Sequence, residues 1–295
     1  MAAKDRFLHV MFEGKRTAPV ARRPFTATPQ RQPRSEATPL SGDEAGLVSW
    51  AFQHSGLDAD RYRPQPMQRR IAACLRALRT ADAAEAKQLL EHRPELLAPA
   101  LDSLLIGTSE FFRDTAVFAC LREQILPEML AGGATLQVWS VACSDGAEAY
   151  SIAMLAAETR ALERVRITAT DCRSSAIEQA RRGIFSEAAM KSVPAELRQR
   201  YFQPTAKGYQ AAGLLREAIT WTTMDVFACR DDSRWDLVLC RNVAIYLQPA
   251  ASSDLWHRIV QAIRPGGVLM TGKAERPPAT LGLQRIGQCL YSRRT

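Results

Sequence analysis

Three groups of residues in this 295-residue chain have types and spacing suited to holding a nucleoside. The first is the small, polar turn Cys143-Ser144-Asp145-Gly146. Between a strand and a helix, such a turn presents backbone N–H groups at the mouth of a parallel sheet, where α/β proteins bind ligands. The second is Asp171, which follows the β-like run 166–170. An acid placed about twenty residues after the first helix begins accepts hydrogen bonds from ribose hydroxyls in doubly wound folds. The third is Arg241-Asn242 with Tyr246, just past the apolar run Trp235–Leu239. The dinucleotide pattern G-x-G-x-x-G is absent, because Gly146 stands alone, so the turn by itself is a weak signal. Histidines 9, 54, 92 and 257 all fall outside the three groups, so nothing points to a histidine general base.

Positioning these groups requires a particular set of elements. Leu136, Val138 and Trp139 read as a buried strand leading into the turn, and Ile152, Leu155 and Ala156 mark one side of the helix after it, with Glu148 and Ser151 nearby. Further strands are expected at 166–170, at 235–239 and from Gly267, the last opened by a hairpin-like Arg264-Pro265-Gly266. Helices are expected at 174–181, closed near Gly183, and at 194–200. Residues 43–105 read as a small all-α domain. Its strongest helix, Met67–Leu78, carries Met67, Ile71, Cys74, Leu75 and Leu78 as a stripe, with Arg69, Arg70, Arg76 and Arg79 largely off it. Residues 1–42 read as a disordered basic tail. Five prolines interrupt it, and residues 1–40 hold eight Lys/Arg against three acids. A solvated linker is the preferred reading of the tail; a nucleic acid, an anionic membrane or an acidic protein are the alternatives.

Composition narrows the classes. No apolar run approaches the roughly 20 residues of a membrane span, so membrane insertion is not expected. The charged start shows no secretory signal. Seven scattered cysteines without a C-x-x-C pair argue against a disulfide framework and against a metal site, and suit a cytoplasmic location.

The segments SLLIGTSEFFRD, VWSVACSDGAEAYSIA, ITATDCRSSAIEQARRGIF, WDLVLCRNVAIYL and RPGGVLMTGKAE occur in one order. Together they resemble the CheR family of chemoreceptor glutamate O-methyltransferases, from about Glu44 to the C-terminus. The resemblance implies an α/β fold. A Rossmann-like S-adenosylmethionine (SAM)-dependent methyltransferase domain would span 106–295, with a small inserted antiparallel β-subdomain at about 201–224 built from Tyr201-Phe202, Tyr209-Gln210 and Ile219–Thr222. It implies SAM as cofactor and the cytoplasmic helices of chemoreceptors as partners, with nucleic acid not expected because the N-P-P-[FYW] loop is missing. The arginine-bearing helix 67–78 would then face the receptor, the other reading being a solvated face.

Residue by residue, the resemblance makes 106–114 a lid over the cofactor. Arg113 and Tyr246 become the catalytic pair, positioning the acceptor carboxylate, and Arg113 sits beside the transferred methyl. Cofactor contacts fall on Gly107, Ser109, Arg113, Glu148, Asp171, Asp225, Val226, Arg241 and Asn242. Glu148 would serve the amino-acid part of SAM, Asp171 the ribose and Asp225-Val226 the adenine. The chain departs from the family pattern at three of these positions. Gly107 replaces an asparagine and so lacks its amide, Ser109 replaces a threonine, and Asp225 replaces an asparagine. Lys273 and Glu275 stand where many members have histidine and glutamate; no role is assigned to Lys273. Two further readings follow: a SAM-binding regulatory or scaffold protein with weakened catalysis, and a methyltransferase on another acceptor.

Overall fold

A computed structural model describes residues 39–105, 107, 109–229 and 235–294. The tail expected at 1–42 falls almost wholly outside the described residues. Helix α1 (Gly42–Gln53) starts at a capping box. Ser41 Oγ accepts from Glu44 N at 3.3 Å, and Glu44 returns a bond to Ser41 N at 2.8 Å. Helix α2 (Pro64–Leu78) opens on a proline, whose fixed φ and missing N–H suit a first turn, and stops at Arg79 in the left-handed region. Helices α3 (Ala83–His92) and α4 (Leu97–Leu104) complete a unit with its own core of Leu47, Phe52, Ile71, Leu90 and Leu104. Arg70 does not simply face solvent: its Nε donates to Ser103 O at 2.7 Å and ties α2 to α4.

After the lid segment, α5 (Thr115–Cys120), a π-turn (Leu121–Ile125) and α6 (Leu126–Ala131) lead into β1 (Leu136–Val141). Helix α7 (Ala147–Glu158) follows the glycine turn. It is buried on nearly every face rather than on one, because Tyr150 packs on Phe185 and Trp221 while Ser151 Oγ accepts from Phe112 N at 3.0 Å. Then come β2 (Val165–Asp171), α8 (Ser174–Arg182), β3 (Ile184–Phe185), α9 (Ala195–Tyr201), β4 (Phe202–Thr205), β5 (Gly208–Ala211), α10 (Gly213–Glu217), β6 (Ile219–Thr223), β7 (Trp235–Cys240), α11 (Pro249–Ala262), β8 (Ile263–Thr271), β9 (Leu283–Gly287) and β10 (Leu290–Arg293).

Seven of these strands form one sheet in the order β6-β2-β1-β7-β8-β10-β9. The first five run parallel, and β10 pairs antiparallel with both β8 and β9. Val138 sits beside both Ile167 and Leu237, and every residue of β7 is buried, as a central parallel strand requires. The architecture is the Rossmann-like methyltransferase type, and the small antiparallel sheet is present as β3-β5-β4.

Two expectations need correction. Ile219–Thr222 does not belong to the small sheet. It pairs in parallel with β2, in register Ile167↔Ile219, and buries Ile219 and Trp221 on the large core; the third small-sheet strand is Ile184–Phe185. Alternation marked 219–223 as a strand, but alternation cannot say which sheet a strand joins. The Arg264-Pro265-Gly266 segment is a bulged start to a parallel strand, with pairing shifting between Trp235↔Ile263 and Leu237↔Val268, and makes no hairpin.

The all-α unit is stitched to the loop after β7. Tyr62 and Leu247 form an antiparallel bridge, Arg63 N donates to Tyr246 O at 2.9 Å, and Gln248 N donates to Arg61 O at 2.8 Å. Among the described residues no helix is long and apolar enough to cross a membrane.

Candidate active site

The strand ends at Val141, Asp171 and Cys240 lie along one edge of the sheet, where chain order reverses between β1 and β7. In open α/β sheets such a switch point leaves a crevice for ligands. Here the backbone is unusually contorted: Phe112, Asp114, Ala142, Ser144 and Asn242, none of them glycine, all adopt positive φ. Left-handed non-glycine residues persist only where surrounding structure holds them, and they gather at functional sites. Gly146 (φ +87°) has a second reason to be glycine, since a Cβ there would lie 2.5 Å from the Trp221 ring.

A cleft opens along this edge, roofed by the all-α unit through Tyr62, Met67, Leu104 and Leu105. Of the residues singled out from sequence, Gly107, Asp171, Arg241, Asn242 and Tyr246 line it; Ser109, Arg113, Glu148, Asp225 and Val226 do not. Arg241 joins two of the latter to the wall. Its guanidinium is buried, with Nη1 donating to Glu148 Oε2 at 2.6 Å and Nη2 donating to Asp114 Oδ2 at 2.5 Å and to Arg113 O at 3.0 Å. Asp114 also pairs with Lys273 at 2.5 Å. Burial by itself would raise the Asp114 pKa, but Lys273 and Arg241 outweigh it and hold the carboxyl below its ordinary range. Glu148 therefore spends one oxygen on Arg241, while its Oε1 has no protein partner among the described residues.

Arg113 and Tyr246 are held by their backbones and free at their side chains. The Arg113 carbonyl accepts from Arg241 and the Tyr246 carbonyl from Arg63, yet neither side chain has a partner among the described residues. The aromatic pair beside Arg113 anchors the lid: Phe111 meets Phe185 and Phe202 edge-on at 4.7 and 5.5 Å, and Phe112 meets Phe118 at 5.6 Å. Ser109 Oγ is buried beside Asp145 without a hydrogen bond of good geometry, and burial raises the Asp145 pKa. Asp225 lies just off the cleft. Its carboxylate caps Phe227 N at 3.1 Å, burial raises its pKa, and its charge is felt by Tyr62 and Cys172 on the cleft wall. Val226 is half-buried in the core beneath β7 and α11.

Three participants were given no role by the sequence reading, and only Glu275 was singled out in it. Glu275 is buried and gathers four backbone donors, Asn242 N, Val243 N, Ala244 N and Gly272 N, at 2.6 to 3.0 Å. It fixes the loop that presents Asn242 and Tyr246. Tyr62 enters from the all-α unit, a pairing between residues too distant in sequence to leave a local signal. Arg173 is the third, two residues past Asp171. It donates through Nε to Asp171 Oδ1 at 3.1 Å and through Nη2 to Asp171 Oδ2 at 3.4 Å. The same guanidinium fills the space above Gly107, where a Cβ would lie 2.1 Å from Nη2. Gly107 had looked like the loss of a side chain; Arg173 occupies that space. Its adjacency to Asp171 was the one available signal.

The donor set suits a nucleoside bearing an amino-acid group. The cleft pairs apolar surface with a buried acid, and Ser109 Oγ and Arg241 Nε are buried polar atoms still lacking partners. Among the described residues no group of three or more His, Cys, Asp or Glu side chains is arranged to hold a metal ion.

Comparison with known proteins gives the same picture. Residues 107–286 match the family described as "CheR methyltransferase, SAM binding domain". The chain is 29% identical over 239 residues to a chemotaxis protein methyltransferase of Listeria monocytogenes, covering 80% of this chain and 91% of that one. It is 32% identical over 191 residues to one of Vibrio parahaemolyticus, covering 61% and 69%. A 33% match to an uncharacterized 104.1 kDa protein of Rhodobacter capsulatus covers 72% of this chain but only 23% of that longer protein. Among solved structures, the glycopeptide N-methyltransferase MtfA complexed with SAM is similar at a TM-score of 0.34 and 16% identity, over 55% of this chain and 54% of that one, a likeness too slight to carry an argument. With β1 to β8 and the Asp171, Arg241 and Asn242 wall of the cleft inside the matched region, this chain belongs to the CheR methyltransferase family, with SAM as its cofactor.

Proposed function

We propose that the protein is a SAM-dependent protein-glutamate O-methyltransferase that modifies the cytoplasmic helices of chemoreceptors. The observation that carries this reading is that, among the described residues, no unengaged histidine or thiolate stands at the cleft to act as a base. Among the described residues, His54, His92 and His257 each bond a carbonyl one turn back, and none of them lines the cleft. Burial, reinforced by the Asp171 charge, pushes the Cys172 thiol up to about 12, and Asp171 is fully engaged. An amine or hydroxyl acceptor would need deprotonation. A glutamate, with an unperturbed pKa near 4.3, arrives ionised and nucleophilic. The relatives called chemotaxis protein methyltransferases support a place in chemotaxis.

In this account SAM supplies a methyl group on a sulfonium and leaves as a neutral thioether. The protein's work is to bind, align and exclude water. Asp171 takes the ribose, Glu148 Oε1 the cationic amino-acid group, and the Asp225-Val226 segment the adenine side. Arg113 and Tyr246, fixed in backbone and free in side chain, orient the incoming carboxylate. Orientation of this kind can supply roughly 7–11 kcal/mol of a barrier.

The test is incubation of the protein with methyl-tritiated SAM and receptor cytoplasmic fragments. Label on the fragment that mild alkali releases as methanol is the expected result. SAM binding without transfer to any fragment would favour the regulatory reading instead, and alkali-stable label would point to another acceptor atom.

A further inference from the structure

We propose that Arg173 gates the cofactor site: its guanidinium competes with the ribose for Asp171 and swings to Asp102 when the nucleoside binds. This rests on Asp171 being the ribose acid, as argued above. An ionised aspartate offers about four lone-pair positions. On Asp171 they are all taken: Ser144 N at 2.9 Å and Arg173 Nη2 at 3.4 Å on Oδ2, Arg173 N at 3.0 Å and Arg173 Nε at 3.1 Å on Oδ1, where the Cys172 thiol is a further, weak donor at 3.9 Å. The two backbone donors are fixed by the turn and the strand end. The two guanidinium donors are side-chain groups, held besides, among the described residues, only by Nη2 donating to Ser144 Oγ at 3.3 Å, so a ribose diol gains its acceptors by displacing them.

A destination for the displaced group is already in place. Arg173 Nη1 lies 3.7 Å from Asp102 Oδ1 on α4, and Ser175 Oγ holds the same Asp102 oxygen at 2.7 Å. Beyond it is an open groove lined by Ser55, Leu101, Ser175 and Thr223. Cys172 and Arg173 line both this groove and the cleft, so they form the wall between them. A small rotation exchanges one carboxylate for another, and the guanidinium is never left without a counter-charge, which would be the costly state for a buried cation. Gly107 permits the paired position, because any side chain there would push against the guanidinium.

The apparent affinity of a site that is open for only a fraction of the time falls by that fraction. The test is calorimetric titration of SAM into the full chain and into Arg173→Ala, Arg173→Lys, Asp102→Asn and the Arg173→Ala/Asp102→Asn double variant, with Asp171→Asn as control. If Arg173 holds Asp171 about nine-tenths of the time, Arg173→Ala binds SAM about tenfold more tightly. Arg173→Lys is expected to tighten binding less, since lysine keeps the charge but not the fork. Asp102→Asn should weaken binding in the wild-type background and change nothing once Arg173 is alanine, a coupling that a merely structural role would not produce. Unchanged or weaker binding by Arg173→Ala overturns the proposal, and Arg173→Lys decides in the same way should the alanine variant fail to fold. Unchanged affinity in Asp171→Asn would instead remove Asp171 from the ribose site and with it the reading beneath.

Discussion

Two buried arginines flank the cleft, each set between two carboxylates, and they are built differently. Arg241 sits 2.6 Å from Glu148 and 2.5 Å from Asp114, donates to a backbone carbonyl as well, and is 2% exposed. Arg173 sits 3.1 Å from Asp171 but 3.7 Å from Asp102, and Asp102 is partly open to solvent. Short contacts through both terminal nitrogens make Arg241 a fixed joint between α7, the lid and the end of β7. Unequal contacts beside an open groove give Arg173 two positions. Similar chemistry therefore yields a structural pin in one place and a movable part in the other.

Substitution should separate them. Arg241→Ala leaves Glu148 in a confined site without its counter-charge and Asp114 with only the exposed Lys273, and is expected to cost about 3–5 kcal/mol in urea unfolding. Arg173→Ala leaves Asp171 its two backbone donors and should cost only about 1–2 kcal/mol. Equal losses would erase the distinction.

A smaller effect sharpens the contrast between paired and unpaired acids. Asp114 is held low by two cations, whereas burial raises Asp225 with no ion pair to offset it among the described residues. A raised folded-state pKa means that ionising Asp225 opposes folding: the penalty is absent below the unfolded-state pKa and complete above the folded one. Asp225→Asn keeps an oxygen for Phe227 N and should raise the melting temperature at pH 7. The gain should shrink as the pH is lowered into the carboxylate range. A gain independent of pH would show that the charge is not its source.

Much of this was legible in the sequence because it is local. The run from Leu136 through Gly146 into α7, the acid ending β2 and the polar residues after β7 each announce themselves within about a dozen residues. What pairs across the chain did not. The contact of Arg173 with Gly107, the Tyr62–Leu247 bridge and the capture of β6 by the large sheet all join segments whose own patterns name no partner. Glu275 was visible as a residue, but its task of gathering four N–H groups depends on a loop conformation with Asn242 at positive φ.

Arg113 completes the comparison as an arginine with no side-chain partner among the described residues, held only through its carbonyl. The central claim is that this freedom serves alignment of the acceptor carboxylate. The direct measurement is single-turnover methyl transfer to a receptor fragment by Arg113→Ala at saturating SAM, alongside its SAM affinity. The account predicts a transfer rate reduced at least about tenfold with affinity changed far less, since alignment is felt mainly in the transition state. A variant that lost affinity but kept its single-turnover rate would contradict it.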